Sequence, residues 1–134
     1  MSGEPVTLDR TTKYVTSVME LMREVGHATN AELLSMLRKK YPTLSATTIH
    51  RVTARLLDHG ELQLGPSAHD GSMRYDVNTE PHDHFVCAQC GLVRDARLGA
   101  IVRPLIEAEV GGGCQISGSL TVSGLCKMCH KEDI

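Results

Sequence analysis

The chain has 134 residues, which is enough for one compact domain or two small ones. Aromatic residues make up 3%, with one Phe and no Trp, so a core must come from Leu, Val, Ile and Met. A net charge of -2 argues against nonspecific polyanion binding by the whole molecule, and no apolar run approaches the roughly 20 residues of a membrane span. We therefore expect a soluble protein without a membrane partner.

Three amphipathic helices are predicted in the N-terminal half. Apolar residues at helical spacing predict a first helix from about Leu8 to Val25, ending near Gly26. A second helix, Ala31 to Lys40, can be capped by Thr29 or Asn30, and a third, Ala46 to Asp58, by Ser45. The residues expected to face inward are Val15, Val18, Met19, Met22 and Val25, then Leu33, Leu34 and Leu37, then Ile49, Val52, Leu56 and Leu57.

A hairpin is predicted to follow the third helix. Two short alternating segments, Glu61 to Leu64 and Met73 to Val77, are joined by turn-forming residues 65–71. The order of three helices and a hairpin is typical of a winged helix-turn-helix, whose third helix enters the DNA major groove. We assign residues 1–78 to a DNA-binding domain.

The third helix carries a local basic pattern. Residues 38–55 contain five basic and no acidic residues, and the hydroxyl side chains at the start of the helix suit phosphate and base contacts. A three-helix core with a solvated basic face stays open as an alternative. The candidate DNA contacts from this pattern are Ser45, Thr47, Thr48, Arg51 and Arg55.

The rest of the chain, residues 79–134, is predicted to form a small α/β domain that binds metal and dimerises. After a linker at 78–81 we expect strands around 83–86 and 92–96, a helix from about Gly99 to Val110, and a strand from Gln115 to Val122. The predicted fold class is thus α+β.

Two Cys-x-x-Cys pairs lie in this second domain. Four thiolates close a tetrahedral shell around zinc and leave no open position, which is typical of a structural site. Two disulfides are the alternative, but residues 1–20 lack the apolar region of a signal peptide, so we expect reduced cysteines and a cytoplasmic protein. Cys114 is left over and is expected to be a small buried apolar residue. The predicted zinc ligands are Cys87, Cys90, Cys126 and Cys129.

The triplet His82-Asp83-His84 adds further metal ligands, and its two histidines point to one face of a strand. Histidines with carboxylates also build metallohydrolase centres, but these keep an open position beside a substrate pocket, for which a short winged-helix chain has little room. A zinc-ribbon interaction module that does not bind DNA is another alternative. It would leave the basic flank of the third helix unexplained. We expect no enzyme and no small-molecule substrate.

Three segments resemble motifs of the ferric uptake regulator superfamily. Residues 82–91, His-Asp-His-Phe-Val-Cys-Ala-Gln-Cys-Gly, resemble its H-x-H-x-x-C-x-x-C-G signature. Residues 47–51 resemble its recognition-helix motif, with His50 in place of the usual Tyr, and residues 124–129 resemble its closing zinc knuckle. The resemblance covers nearly the whole chain, and it adds His50 to the candidate DNA contacts.

The resemblance implies a homodimeric repressor that binds double-stranded operator DNA, with a structural Zn²⁺ and a regulatory metal at the hinge between domains. Carried over to this sequence, the regulatory ligands are His27 at the start of the second helix, Asp76, His82, His84 and Asp95. An accessory metal site of the family would retain only Asp83, which we assign no ligand role.

The ligand types indicate a branch of the superfamily. Three His and two Asp resemble the peroxide-sensing branch, in which bound Fe²⁺ reduces peroxide and a neighbouring histidine, here His27 or His82, is oxidised. Nitrogen and oxygen ligands suit Fe²⁺ or Mn²⁺. Regulators of iron, manganese, nickel or zinc uptake remain open, so Ni²⁺ or Zn²⁺ could be the regulatory ion.

Overall fold

The computed structural model describes residues 4–130, and within the first helix it describes side chains from Lys13 onward. The chain divides into two compact units, Met1–Thr79 and Glu80–Ile134. Across the described residues, every helix is too short or too polar to cross a lipid bilayer.

The N-terminal unit contains the three predicted helices: α1 (Glu4–Val25), α2 (Asn30–Leu37) and α3 (Ala46–Asp58). The bounds of α3 agree with the prediction, whereas α1 begins before Leu8. The prediction extended α2 too far, because residues 38–40 form a turn in which the Tyr41 amide donates to the carbonyl of Leu37 at 2.8 Å. Pro42 disfavours helical backbone at Tyr41, so the helix does not resume after this turn.

A three-stranded antiparallel sheet completes this unit. It consists of β1 (His27–Thr29), β2 (Gln63–Leu64) and β3 (Arg74–Asp76), in the order β1-β3-β2. The hairpin of β2 and β3 is the predicted wing, but β1 was not predicted. His27 therefore lies in a strand and not at the start of the second helix. Gly26, at φ 84°, ends α1, and the three extended residues after it are too few to show an alternating pattern.

The hydrophobic core of this unit lies between its helices and the sheet. Val25 was expected in the core but is 41% exposed, because it occupies the last position of α1. From Lys13 onward, the buried apolar residues of this unit are Val18, Met19, Met22, Ala28, Leu33, Leu37, Leu44, Ile49, Val52, Leu56, Leu62 and Tyr75.

The C-terminal unit is a second three-stranded sheet with one helix. Strand β4 (Asp83–Cys87) is central, antiparallel to β5 (Val93–Ala96) and parallel to β6 (Thr121–Gly124), and α4 (Gly99–Val110) connects β5 to β6. The predicted strand from Gln115 is wrong up to Leu120. Residues 115–120 are irregular, and Gly118 at φ 79° is incompatible with an extended strand.

The C-terminal unit buries few apolar side chains. Cys87 is its one buried apolar residue within the described range, and α4 has no buried residue at all. Its exposed apolar residues include Ile101 at 75% and Leu105 at 67%. The chain is thus an α+β protein with a winged helix-turn-helix followed by a small α/β unit, as predicted.

Candidate metal centres and nucleic-acid interface

The four paired cysteines converge at one end of the second sheet. Parallel pairing sets Cys87, at the end of β4, beside Gly124 at the end of β6, so the two Cys-x-x-Cys turns leave the sheet next to each other. The Sγ atoms of the four cysteines all lie within 4.8 Å of one another, and none of these cysteines forms a disulfide.

The sulfur spacing fits a tetrahedral metal site. Zinc–sulfur bonds of about 2.3 Å at tetrahedral angles separate the sulfurs by roughly 3.8 Å. The Sγ atoms of Cys90 and Cys126 are 3.7 Å apart. The four-cysteine cluster therefore has both the donors and the spacing of a closed structural zinc site.

Hydrogen bonds from backbone amides lower the pKa of one of these thiols and favour its thiolate form. The Cys90 and Cys126 amides each donate to Sγ of Cys87 at 3.4 Å, and the pKa of Cys87 falls to about 5 as a result, with the Cys90 amide contributing most. The neighbouring Cys126 side chain, together with burial, raises the pKa of Cys129 to about 12. Four thiolates this close together repel one another when no cation is bound. A bound metal cation would neutralise their charge.

In the N-terminal unit, a histidine and a carboxylate face each other across the first sheet. Antiparallel pairing of β1 with β3 puts His27 opposite Asp76, and Nε2 of His27 lies 3.2 Å from Oδ2 of Asp76. Asp76 is 1% exposed, and its other oxygen accepts the Asn78 amide at 2.9 Å. Gly65, beside the pair, adds no side chain between them.

In the C-terminal unit, two histidines and a carboxylate meet at the start of the second sheet. His84 on β4 pairs with Asp95 on β5, and His82 precedes the strand by one residue. Oδ1 of Asp95 lies 3.5 Å from Nε2 of His82 and 3.6 Å from Nε2 of His84. Both histidine side chains are buried, whereas that of Asp95 is about half exposed.

A hydrogen bond orients the imidazole ring of His82. Its Nδ1 lies 2.6 Å from the carbonyl oxygen of Glu80, which can only accept, so Nδ1 carries the proton and donates. Nε2 is the ring nitrogen that faces Asp95. Metal-bound histidines commonly use this arrangement, in which the second ring nitrogen donates to a carbonyl or carboxylate.

The spacing within each group suits neighbouring ligands of one divalent ion. Two bonds of about 2.1 Å at right angles separate their ligand atoms by roughly 3.0 Å. The separations of 3.2 to 3.6 Å within the two groups are close to this value. Imidazole nitrogens and carboxylate oxygens suit Fe²⁺ and Mn²⁺.

Helix α3 presents the predicted DNA contacts. The Ser45 hydroxyl accepts the Thr48 amide at 3.1 Å, so it caps the helix and is partly committed to that role. His50 and Arg51 are exposed on α3, as is Thr47, while Thr48 and Arg55 are half-buried. The wing contributes no exposed Lys or Arg, because Arg74 is buried and the residues from Gly65 to Met73 include neither type.

Two features escaped the sequence analysis. Cys114 is exposed and not buried, because it follows the glycine turn 111–113 at the surface. Asp83 is 4% exposed and accepts three hydrogen bonds. The sequence did contain a signal for this. Asp83 lies between two histidines on a predicted strand, so its side chain was expected on the face opposite to theirs.

A winged helix-turn-helix joined to a unit with a four-cysteine cluster and a histidine–carboxylate group defines a class, the metal-binding transcriptional regulators. The sequence profile of the ferric uptake regulator family matches residues 6–115. The chain belongs to the ferric uptake regulator family.

Individual relatives agree with this membership. The peroxide-responsive repressor PerR of Staphylococcus epidermidis is 30% identical over 117 residues, covering 84% of this chain and 75% of the relative. PerR of Staphylococcus aureus strain USA300 is 36% identical over 115 residues, covering 79% and 72%. The solved structure of the Helicobacter pylori ferric uptake regulator matches the fold with a TM-score of 0.71 at 19% identity, covering 94% of this chain and 88% of that one.

Family membership decides between the classes considered from the sequence. Ferric uptake regulators are dimeric, metal-dependent DNA-binding repressors and not enzymes. The metallohydrolase and the interaction module that does not bind DNA are therefore wrong. The assignment of individual residues to metal and DNA is a separate question.

Proposed function

We propose that this protein is a metal-dependent repressor in which ion binding to a histidine–aspartate site controls its affinity for double-stranded operator DNA. The observation that carries the proposal is the presence of a metal-competent histidine–carboxylate group in each unit: His27 with Asp76, and His82 and His84 with Asp95. An ion that took ligands from both groups would fix the angle between the two units. Operator binding by a dimer requires a defined spacing of two recognition helices.

We assign a structural Zn²⁺ to Cys87, Cys90, Cys126 and Cys129. The convergent sulfurs, the low pKa of Cys87 and the scarcity of buried apolar side chains in this unit all support the assignment. In a small unit with little core, the binding energy of the metal is part of the folding energy.

The proposed DNA-binding residues lie at the start and on the exposed side of α3. Arg51 is exposed and can contact a phosphate or form a bidentate pair with guanine. His50 follows the same exposed face, and a histidine contact predicts a different base preference from that of a tyrosine. The full set is Ser45, Thr47, Thr48, His50, Arg51 and Arg55.

Peroxide sensing through Fe²⁺ is our preferred form of regulation, with Mn²⁺ as the alternative ion. Two relatives with at least 30% identity are named peroxide-responsive repressors. When bound, Fe²⁺ supplies the electron that reduces peroxide, and the imidazoles that hold it are the nearest oxidisable groups. Oxidation of His27 or His82 would weaken a ligand and release DNA. Uptake regulation by iron, manganese, nickel or zinc is the second candidate, supported by the same ligand types.

We propose that α4 contributes to the homodimer surface. Ile101 and Leu105, one turn apart on one face of this helix, are 75% and 67% exposed. Residues 1–78 would then serve as the DNA-binding domain and residues 79–134 as the metal-binding dimerisation domain. Operator DNA as partner and five free cysteines support a cytoplasmic location.

Binding of each metal to matched variants tests the proposal. Zinc-loaded protein prepared without oxygen should bind one further Fe²⁺ or Mn²⁺ per chain, and His27→Ala and His84→Ala should each abolish that binding while keeping the zinc. His69→Ala, at an exposed residue of the wing, is the matched control. If only one of the two ligand variants loses the ion, the shared site is wrong.

A further inference from the structure

Asp83 lies between two proposed metal ligands, yet its side chain belongs to a different network. Neighbouring residues on a strand point to opposite faces, so Asp83 faces away from His82 and His84. Its carboxylate is 4% exposed, and Oδ1 lies 2.7 Å from Nη2 of Arg103. Backbone amides supply the other donors, Leu120 to Oδ1 at 2.8 Å and Leu98 to Oδ2 at 3.2 Å.

These three donors belong to the two elements that follow β5 or to the residues that directly precede them. Leu98 is the N-cap residue of α4 and has no capping side chain of its own, Arg103 lies on α4, and Leu120 directly precedes β6. A carboxylate at the start of α4 also interacts favourably with the helix dipole. One buried charge thus fixes the beginning of β4 to both elements that follow β5 in the chain.

Leu120 makes this attachment a two-point clamp. Its carbonyl accepts the amide of His84 at 3.0 Å, while its amide donates to Asp83. The two bonds restrain rotation of the strand about its axis at the histidines. Such a rotation would turn both imidazoles away from Asp95.

We infer that Asp83 and Arg103 are positioning residues for the metal site, and this inference rests on the proposed function. Asp83 holds the strand from the face opposite to the ligands, and Arg103 acts through Asp83 by supplying its counter-charge. A buried carboxylate that loses its partner is destabilised, so loss of Arg103 loosens the clamp. The geometry of His82 and His84 therefore depends on a helix that carries no metal ligand.

Manganese affinity measured by electron paramagnetic resonance on zinc-loaded protein tests the inference. Arg103→Gln and Asp83→Asn should each weaken Mn²⁺ binding by about tenfold or more, in the range known for residues that orient metal ligands. Arg103→Lys, which keeps a cation, should recover part of the loss. Arg97→Gln is the matched control, because Arg97 is exposed and lies just before α4.

A second readout separates positioning from general stability. The imidazole resonances of His82 and His84 in Mn²⁺-free, zinc-loaded protein should shift in Arg103→Gln and stay unchanged in Arg97→Gln. A purely structural role would lower the thermal midpoint while leaving the Mn²⁺ affinity and the histidine resonances as in the wild type, and this result overturns the inference. If Asp83→Asn does not retain zinc, the Arg103 variants decide alone.

His84→Ala distinguishes failure of this inference from failure of the proposed function. If His84→Ala abolishes Mn²⁺ binding and Arg103→Gln leaves it intact, only the positioning role is wrong. If wild type and His84→Ala bind Mn²⁺ equally, the proposed metal site is wrong, and the inference with it.

Discussion

Removal of one zinc ligand should affect the two units differently. Among the N-terminal residues whose burial the structure describes, twelve apolar residues are buried, the larger of them worth about 1.5 to 3 kcal/mol each. Within the described part of the C-terminal unit, Cys87 is the one buried apolar residue. A structural zinc contributes roughly 10 to 16 kcal/mol, as much as the whole stability of a typical small domain, about 5 to 15 kcal/mol. Cys90→Ser should therefore unfold the C-terminal unit and abolish dimerisation, while the N-terminal unit stays folded.

Zinc analysis with amide NMR measures this outcome directly. Signals from residues 80–130 should collapse to the narrow range of an unfolded chain, those from the N-terminal unit should keep their dispersion, and zinc should fall below one equivalent per chain. Cys114→Ser makes the same chemical change at an exposed cysteine outside the cluster and should alter none of these. A folded Cys90→Ser dimer with one zinc per chain would refute the four-cysteine site.

Three other predictions concern the DNA face, the sensor chemistry and a helix cap. Arg51→Ala should weaken operator binding by about 1 to 3 kcal/mol with unchanged metal content, and unaltered affinity would remove α3 from the groove. After treatment with a low concentration of peroxide, Fe²⁺-loaded protein should release DNA, and a peptide containing His27 or His82 should gain the mass of one oxygen. The Mn²⁺ form should show neither change. Oxidation confined to the cysteines would indicate uptake regulation instead. Thr29→Ala should lower the free energy of unfolding by about 1 kcal/mol, because the Thr29 hydroxyl and the Glu32 side chain form a reciprocal cap at the start of α2. Thr16→Ala, at an exposed position of α1, should change this free energy little.

The sequence predicted those features that depend on local pattern. Helix α3 was predicted to the residue because Ser45 caps it, its apolar residues recur at helical spacing and Gly60 follows it at φ 75°. The cysteine cluster was predictable because two Cys-x-x-Cys pairs carry their own geometry.

Features that depend on pairing between distant segments were missed or misplaced. Strand β1 has three residues and exists because it pairs with β3, some 50 positions later, so nothing local indicates it. The strand predicted from Gln115 failed for a related reason. Its apolar alternation was genuine, but Gly118 adopts a positive φ, and strand pairing with β4 begins only at Thr121, next to the hydrogen bond from the His84 amide to the Leu120 carbonyl.

The environment of Asp83 was also beyond the sequence. In the sequence, an aspartate between two histidines is consistent with a third metal ligand or with a solvated surface residue. Its actual partners, Leu98, Arg103 and Leu120, lie 15 to 37 residues away along the chain. Only the assembled sheet and α4 bring these partners together. Residues that position a site through such distant contacts are therefore harder to predict from sequence than the proposed metal ligands.

The most direct test of the central claim is the affinity of zinc-loaded protein for its own promoter DNA, measured by fluorescence anisotropy at fixed salt with and without Mn²⁺. Our account predicts that Mn²⁺ raises the affinity of the wild type by at least about tenfold, the size of a typical coupling between two sites. It also predicts that His84→Ala keeps its zinc and loses this gain. Equal affinity with and without Mn²⁺ in the wild type, or a full gain in His84→Ala, would contradict metal control of DNA binding through this site.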